Sequence, residues 1–277
     1  MLVRDDGLVI GQPAHAWVSG QLARAWGNGA FPAPVPREPV CLAAEQHDVG
    51  WQDADLAPLR DEHGRPLPFT AYPRVEHVAI WRDAARRLLA QSRYAALLVS
   101  LHGTALYDRY VDADRYPPEV AELIRAYLHE QRALQEDLAA GLDPAEVARN
   151  RKLVAALDRL SLALCHGQEA TLEDVPGAAG PATMRLEHAA ERPLGVARDD
   201  HAVPPGSPTA HATLAPWPFA PAALVVGCEA RRLDADGAIG EWVPLRFALG
   251  PRAQPGVIPS TSSSPPVERG STPNLRS

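Results

Sequence analysis

The sequence predicts a mainly α-helical fold: a helical bundle followed by a small β-containing C-terminal appendage. As far as about residue 167, apolar residues recur at helical spacing in segments long enough to be helices. After Gly167 the composition shifts abruptly to Pro, Gly and Ala, and short β-like runs appear between 183 and 249. We therefore predict a helical domain over residues 1–167, an appendage over 168–250 and a disordered Ser- and Pro-rich tail over 251–277.

The first elements are marked by proline and glycine. Residues 1–11 predict a short strand and a turn. Pro13 suits the first position of a helix, and the apolar pattern of that helix ends at Gly27. Pro39 opens a second helix, which Gly50 closes.

Four further helical stretches are predicted before residue 167. An apolar stripe covers residues 75–89. The run YAALLVSLHGTAL is apolar all round, so periodicity cannot separate a buried strand from a buried helix, and we favour a helix because its neighbours are helical. Residues 118–140 form a longer helix, and the last begins at Asp143 and Pro144, with Glu146 in a capping-box position.

The clearest β signal lies in the appendage. The runs AALVVGCEARRL and GEWVPLRFAL flank the turn DADG. Two apolar runs on either side of such a turn predict a β-hairpin.

Charge and cysteine content exclude several classes of partner. The formal net charge of −7 argues against nucleic acid, because nothing in the chain would neutralise a run of phosphates. The three cysteines have no CxxC spacing, which indicates neither a disulfide framework nor a zinc ribbon.

No apolar run approaches the ~20 residues of a membrane span. We expect a cytoplasmic protein that acts on a small molecule, and the sequence leaves its oligomeric state open.

The strongest local motif is AAEQHDVGW, in which an apolar helix ends in adjacent His and Asp residues. Adjacent residues at a helix end can both reach one metal ion, the His through nitrogen and the Asp through oxygen. Further His and Asp residues occupy the apolar sides of other elements. The candidate ligands are His15, His47, Asp48, His77, His102 and Asp158.

Each of these residues also has a simpler interpretation. A single His on an apolar helix face is more often a hydrogen-bonded core residue than a ligand. Asp158 could pair with Arg151 instead of a metal ion, although an unpaired carboxylate buried there would cost several kcal/mol. The simpler interpretations do not explain why six such residues occur, each pointing to the apolar side of its element.

The order of these residues resembles the HD domain, over residues 10 to 167. The resemblance implies a helical bundle in which His15, His47, Asp48 and Asp158 bind a first metal ion. The two extra histidines match the two-metal version, in which Asp48, His77 and His102 hold a second ion and Asp48 bridges. Imidazole and carboxylate ligands without thiolate suit one or two divalent transition metal ions, with iron or manganese favoured.

More narrowly, the chain resembles a bacterial family known as domain of unknown function 3891. The motifs that carry this resemblance are QPAHAWVSGQLARAWG, CLAAEQHDVGW, EHVAIW, LLVSLHGTALY and LDRLSLALC. The family supplies no activity. Trp51 stands where many HD hydrolases carry a Lys, so no catalytic task of that Lys transfers to this chain.

The HD resemblance implies three functions. The first is hydrolysis of a small phosphoester, such as a nucleotide, by a metal-bound hydroxide. Asp48 and Arg159 are then the catalytic residues, and Arg159 or Arg109 would hold the phosphate, although a solvated Arg is the simpler interpretation of each. The second is a di-iron oxygenase, and the third is a non-catalytic metal-binding or regulatory module.

Overall fold

A computed structural model describes residues 1–190 and 209–252 of the 277-residue chain. The elements in this part are, in chain order, strands β1 (Leu2–Val3) and β2 (Leu8–Ile10), helices α1 (Gln12–Ala25), α2 (Arg37–Gln46), α3 (Gln52–Leu56), α4 (Arg74–Leu88), α5 (Arg93–Tyr110), α6 (Pro118–Ala139) and α7 (Pro144–His166), and strands β3 (Ala170–Gly177), β4 (Gly180–His188), β5 (Thr209–Ala215), β6 (Leu224–Leu233) and β7 (Ile239–Pro251).

The predicted fold class, a mainly α bundle with a small β appendage, is wrong. About half of the described residues are helical, and the described strands form one seven-stranded, curled, mixed sheet. The error has two causes. The N-terminal strands join the same sheet as the C-terminal ones, and β3 and β4 extend that sheet beyond the predicted hairpin, so the β part is larger than a small appendage.

The sheet has the order β1-β2-β6-β7-β5-β4-β3 in the described residues. Strand β2 pairs with β6 through Leu8 opposite Arg232, across more than 200 positions of sequence. Strands β5 and β7 run parallel, whereas the other pairs are antiparallel. The hairpin predicted around DADG is confirmed as β6 and β7.

The predicted helices are confirmed, although α2 begins at Arg37, two residues before Pro39, and ends at Gln46, before Gly50. The ambiguous run YAALLVSLHGTAL lies in α5. The side chain of Asp143 accepts a hydrogen bond from the backbone N–H of Ala145 and caps the start of α7. Gly167 ends α7 with a φ of 68°, a left-handed conformation that costs glycine little.

Helices α1 and α7 connect the helical layer to the sheet. They pack against each other, α1 also contacts β6, and α7 contacts β3. Helices α2 and α5 then pack onto this pair. Four helices therefore converge at one place, and the sheet holds two of them.

Two further expectations concern the tail and membranes. From residue 253 onward, the tail predicted over 251–277 lies outside the described residues. Among the helices of the described part, none is long and apolar enough to cross a bilayer.

The turn after His47 and Asp48 depends on a close approach at Gly50. A Cβ atom added at Gly50 would overlap the backbone carbonyl oxygen of Ile80 in α4. We expect Gly50→Ala to lower the free energy of unfolding by roughly 1–3 kcal/mol, since overpacking forces backbone shifts. Urea unfolding measures this change.

Gly29→Ala is the matched control, because a Cβ atom at Gly29 would meet no atom within 4 Å. Equal unfolding midpoints for the two variants would contradict the close approach.

Candidate metal centre

Helices α1, α2, α5 and α7 bring five of the six predicted ligands together. His15 comes from α1, His102 from α5 and Asp158 from α7, while His47 and Asp48 follow the end of α2. The backbone leaves the helical conformation at Asp48, with φ −104° and ψ 19°, so the adjacent residues His47 and Asp48 both face the same centre. All five side chains are buried.

The polar atoms of these five residues lie close to one another. His15 Nε2 is 2.7 Å from Asp48 Oδ2, and His47 Nε2 is 3.3 Å from Asp158 Oδ1. His102 Nε2 is 3.5 Å from Asp158 Oδ2. They form two groups that could hold a metal ion, each with ligand atoms within 4.8 Å of one another: His15, His47 and Asp48, and His47, His102 and Asp158.

His47 is oriented as a metal ligand. Its Nδ1–H donates to the backbone carbonyl of Ala44 at 2.8 Å, which leaves Nε2 as the nitrogen that faces the carboxylates. Nε2 is buried and has no hydrogen-bond partner in the described residues. A ring nitrogen held by a carbonyl, with the other nitrogen aimed at acidic oxygens, is the usual arrangement of a metal-binding imidazole.

His15 is held in the same way by a buried hydroxyl. Ser161 Oγ donates to the backbone carbonyl of Asp158 at 2.9 Å, so its single proton is used. His15 Nδ1, 2.9 Å from Ser161 Oγ, is then the donor of that bond. Nε2 of His15 is then the ring nitrogen that faces the carboxylate of Asp48, at 2.7 Å. A metal ion at this place would bind Nε2 of His15 and an oxygen of Asp48.

The two groups share one donor atom, so they cannot each hold an ion with all three of their ligands. Both include His47, and only Nε2 of His47 is available, because Nδ1 is bonded to Ala44. One nitrogen lone pair binds one ion. We therefore interpret His15, His47, Asp48, His102 and Asp158 as the donor set of a single centre.

The charges at this centre shift several pKa values. Burial lowers the pKa of His47, but Asp48 and Asp158 outweigh it and raise the pKa to about 9. Burial raises the pKa values of Asp48 and Asp158, but His47 and His15 hold both below the usual range. Burial lowers the pKa of His102 to about 4. In the metal-free protein a proton on His47 supplies the positive charge that a divalent ion would otherwise supply.

His77 is the predicted ligand that the structure does not bring into either group. It lies on α4, and its Nδ1 is 2.7 Å from the hydroxyl of Tyr107. Its ring packs against Trp51 and Trp81. His77 therefore belongs to the wall of a cavity beside the centre.

Two cavities meet at the centre. The larger, about 560 Å³, is lined by Asp48, His102 and Asp158 and by aromatic side chains. The smaller, about 310 Å³, is lined by His102 and by basic residues. Arg109 and Arg159 line both. The predicted catalytic Arg159 thus lies beside its neighbour Asp158 at the junction, where its guanidinium also donates to the carbonyl of Thr171.

Two buried hydroxyl groups beside the ligands were not predicted from the sequence. Ser19 and Ser161 are fully buried and bonded to each other at 2.9 Å. Helical spacing provided a signal for both, since Ser19 lies four residues after His15 and Ser161 three residues after Asp158. Tyr107 had no such signal, because its partner His77 is on another helix.

Comparison with known proteins identifies one family. The family model described as "Protein of unknown function (DUF3891)" matches residues 1–235. No curated protein and no solved structure matches the chain.

Removal of one carboxylate tests the centre. We expect the purified protein to bind about one divalent transition metal ion per chain, and Asp158→Asn to weaken metal binding at least roughly a hundredfold, because loss of a direct ligand exceeds the effect of losing a supporting group. Elemental analysis after dialysis measures both.

The matched control is Asp53→Asn, which removes an exposed carboxylate paired with Arg87 and should leave the metal content unchanged. Equal metal content in all three proteins would contradict the assignment.

The proton on His47 makes the stability of the metal-free protein depend on pH. A histidine whose folded pKa is raised stabilises the fold fully below its unfolded pKa of about 6.5, and that contribution is lost as the pH rises through about 9. We therefore expect the free energy of unfolding of the chelator-treated protein to fall between pH 6.5 and 9.

Urea unfolding at several pH values measures this slope. His47→Gln should show a flatter dependence over the same range, and parallel curves for the two proteins would refute the assignment of the proton.

Proposed function

This chain belongs to the DUF3891 family of proteins of unknown function, and we propose that it hydrolyses a small phosphoester with the help of one divalent metal ion. The observation that carries the proposal is the position of Arg159. Arg159 directly follows the candidate ligand Asp158 in the sequence, and its side chain lines both cavities that meet at the centre.

The smaller cavity supplies positive charge for a phosphate. Arg109, Arg151, Lys152 and Arg159 line it, together with two acidic residues. Lys152 is paired with one of them, Asp174, at 2.8 Å. The three guanidinium groups outnumber the one remaining carboxylate, that of Glu173. Guanidinium groups bind phosphate oxygens through paired, charge-assisted hydrogen bonds.

The larger cavity suits the organic part of the substrate. Its wall includes Trp51, Phe69, Trp81, Leu106 and Leu162. Apolar walls with a few polar groups at one end are typical of small-molecule sites. We infer that the alcohol of the ester is apolar or aromatic, and that the phosphate lies toward the junction with the basic cavity.

The centre provides the chemistry between these two regions. The donors of nitrogen and oxygen suit iron or manganese, and such an ion acts as a Lewis acid and lowers the pKa of water. Asp48 and Asp158 would supply the negative charge that binds the ion, and His15, His47 and His102 would complete the donor set. Ser161 and Ala44 orient the rings of His15 and His47. Arg159 and Arg109 would neutralise charge on the phosphate as the ester bond breaks.

The order of the ligands along the chain adds support. His15, the His47-Asp48 pair and Asp158 follow one another as in HD-domain hydrolases, which is support by resemblance. The alternative di-iron oxygenase requires two ions, and the one available nitrogen of His47 favours a single ion.

Substitution of the phosphate-binding Arg tests the proposal. With manganese or iron present, we expect hydrolysis of an aryl phosphate such as p-nitrophenyl phosphate, and Arg159→Gln should lower kcat/KM about 10- to 100-fold, since a hydrogen bond to a charged group contributes ~1.5–3 kcal/mol. Release of nitrophenol measures the rate.

Arg125→Gln is the matched control, because Arg125 is an exposed residue that pairs with Asp114. The proposal fails if no phosphoester is hydrolysed with any of these ions, or if Arg159→Gln and Arg125→Gln have the activity of the unchanged protein.

A further inference from the structure

We propose that His77 is a fixed hydrogen-bond donor for an oxygen of the bound phosphoester, and that it is not a ligand of the metal ion. This inference rests on the proposed function for the identity of the ligand. Its structural part, the state of the His77 ring, stands on the contacts of His77 alone.

Two donors converge on one nitrogen of His77. The hydroxyl of Tyr107 is 2.7 Å from Nδ1, and a guanidinium nitrogen of Arg74 is 3.4 Å from the same atom. A guanidinium cannot accept a hydrogen bond, so Nδ1 must be the acceptor from Arg74. Tyr107 then also donates to Nδ1, since burial raises its pKa and keeps its hydroxyl protonated.

The other nitrogen of His77 must therefore carry the proton. In a neutral imidazole with an acceptor Nδ1, Nε2 is an N–H donor. Burial, with Arg74 nearby, lowers the pKa of His77 to about 4, so the ring stays neutral at pH 7. An Nε2 that bears a proton has no lone pair for a metal ion, in agreement with the absence of His77 from the two His and Asp groups of the described residues.

The Nε2–H group is accessible on a ring that lines the larger cavity. In the described residues it has no hydrogen-bond partner, and it is not among the buried polar atoms without a partner, so it is accessible. The surface that the ring borders is the 560 Å³ cavity, which Asp48, His102 and Asp158 also line. We therefore infer that a molecule bound in this cavity can accept a hydrogen bond from His77.

The ring is also held rigidly. Trp51 and Trp81 pack against His77 with ring centroids 5.5 and 6.4 Å away, and Tyr107 packs at 5.4 Å. A donor fixed before binding loses little entropy when it meets its acceptor. An uncharged donor in an apolar wall suits an oxygen acceptor such as the phosphoryl group or the ester oxygen.

Two substitutions separate the donor role from the ligand role. His77→Phe keeps a ring between the tryptophans but removes both nitrogens, whereas His77→Gln keeps an N–H group near the position of Nε2. We expect both variants to retain the metal content of the unchanged protein, while His102→Gln loses metal. We expect manganese-loaded His77→Phe to bind inorganic phosphate about tenfold more weakly than the unchanged protein, the lower end of what a hydrogen bond to a charged group contributes. His77→Gln should recover most of that loss.

Nitrogen NMR of the imidazole groups in the metal-free protein reads the ring directly. The signals of His77 are those that disappear in His77→Gln. In the unchanged protein at pH 7 they should show a protonated Nε2 and an unprotonated Nδ1. A protonated Nδ1, loss of metal in His77→Phe, or unchanged phosphate affinity in that variant would overturn the inference.

The outcomes also separate this inference from the proposed function. If the unchanged protein binds no phosphate, both are overturned. If phosphate binds and depends on His77 but no phosphoester is hydrolysed, only the proposed function fails.

Discussion

The burial of two carboxylates among three imidazoles at the meeting point of α1, α2, α5 and α7 is the constraint on which the helical layer depends. Isolated charges at such a place would destabilise the fold by several kcal/mol each. The structure compensates them in two ways. His47 lies between Asp48 and Asp158, and backbone and hydroxyl groups hold the outer nitrogens of His47 and His15. The arrangement is complete only with a cation at its centre, a proton in the metal-free protein or a divalent ion.

The sheet has an indirect part in this arrangement. Helices α1 and α7, which carry His15 and Asp158, pack on β6 and β3 at separate places in the sheet. Ser19 and Ser161 then join the two helices by a hydrogen bond inside the core. A shift of either helix on the sheet would therefore move a ligand, so the strands remote from the centre set its geometry.

The polar groups around the larger cavity divide into two kinds. Groups of the first kind, such as His47 and Asp158, direct a nitrogen or oxygen atom at the centre and are suited to bind a metal ion. His77 and Arg159 present hydrogens and are donors suited to an anionic or oxygen-bearing ligand. The division follows from what holds the other side of each ring: a carbonyl acceptor leaves Nε2 of His47 for a proton or a metal ion, and a hydroxyl donor leaves an N–H group free on His77.

Local patterns in the sequence determined the helices and most of the centre. Apolar periodicity and capping residues such as Asp143 act within a few positions, so they predicted the helices, and the polar residues on apolar faces predicted that His15, His47, Asp48, His102 and Asp158 lie inward. Tertiary structure alone decided the sheet and the role of His77. The pairing of Leu8 with Arg232 joins residues far apart in the chain, and no local pattern records it. In the sequence, His77 lies on the apolar face of its helix like the other candidate ligands. Tyr107 and Arg74 decide which of its nitrogens bears the proton, and the contact with Tyr107 exists only when α4 packs on α5.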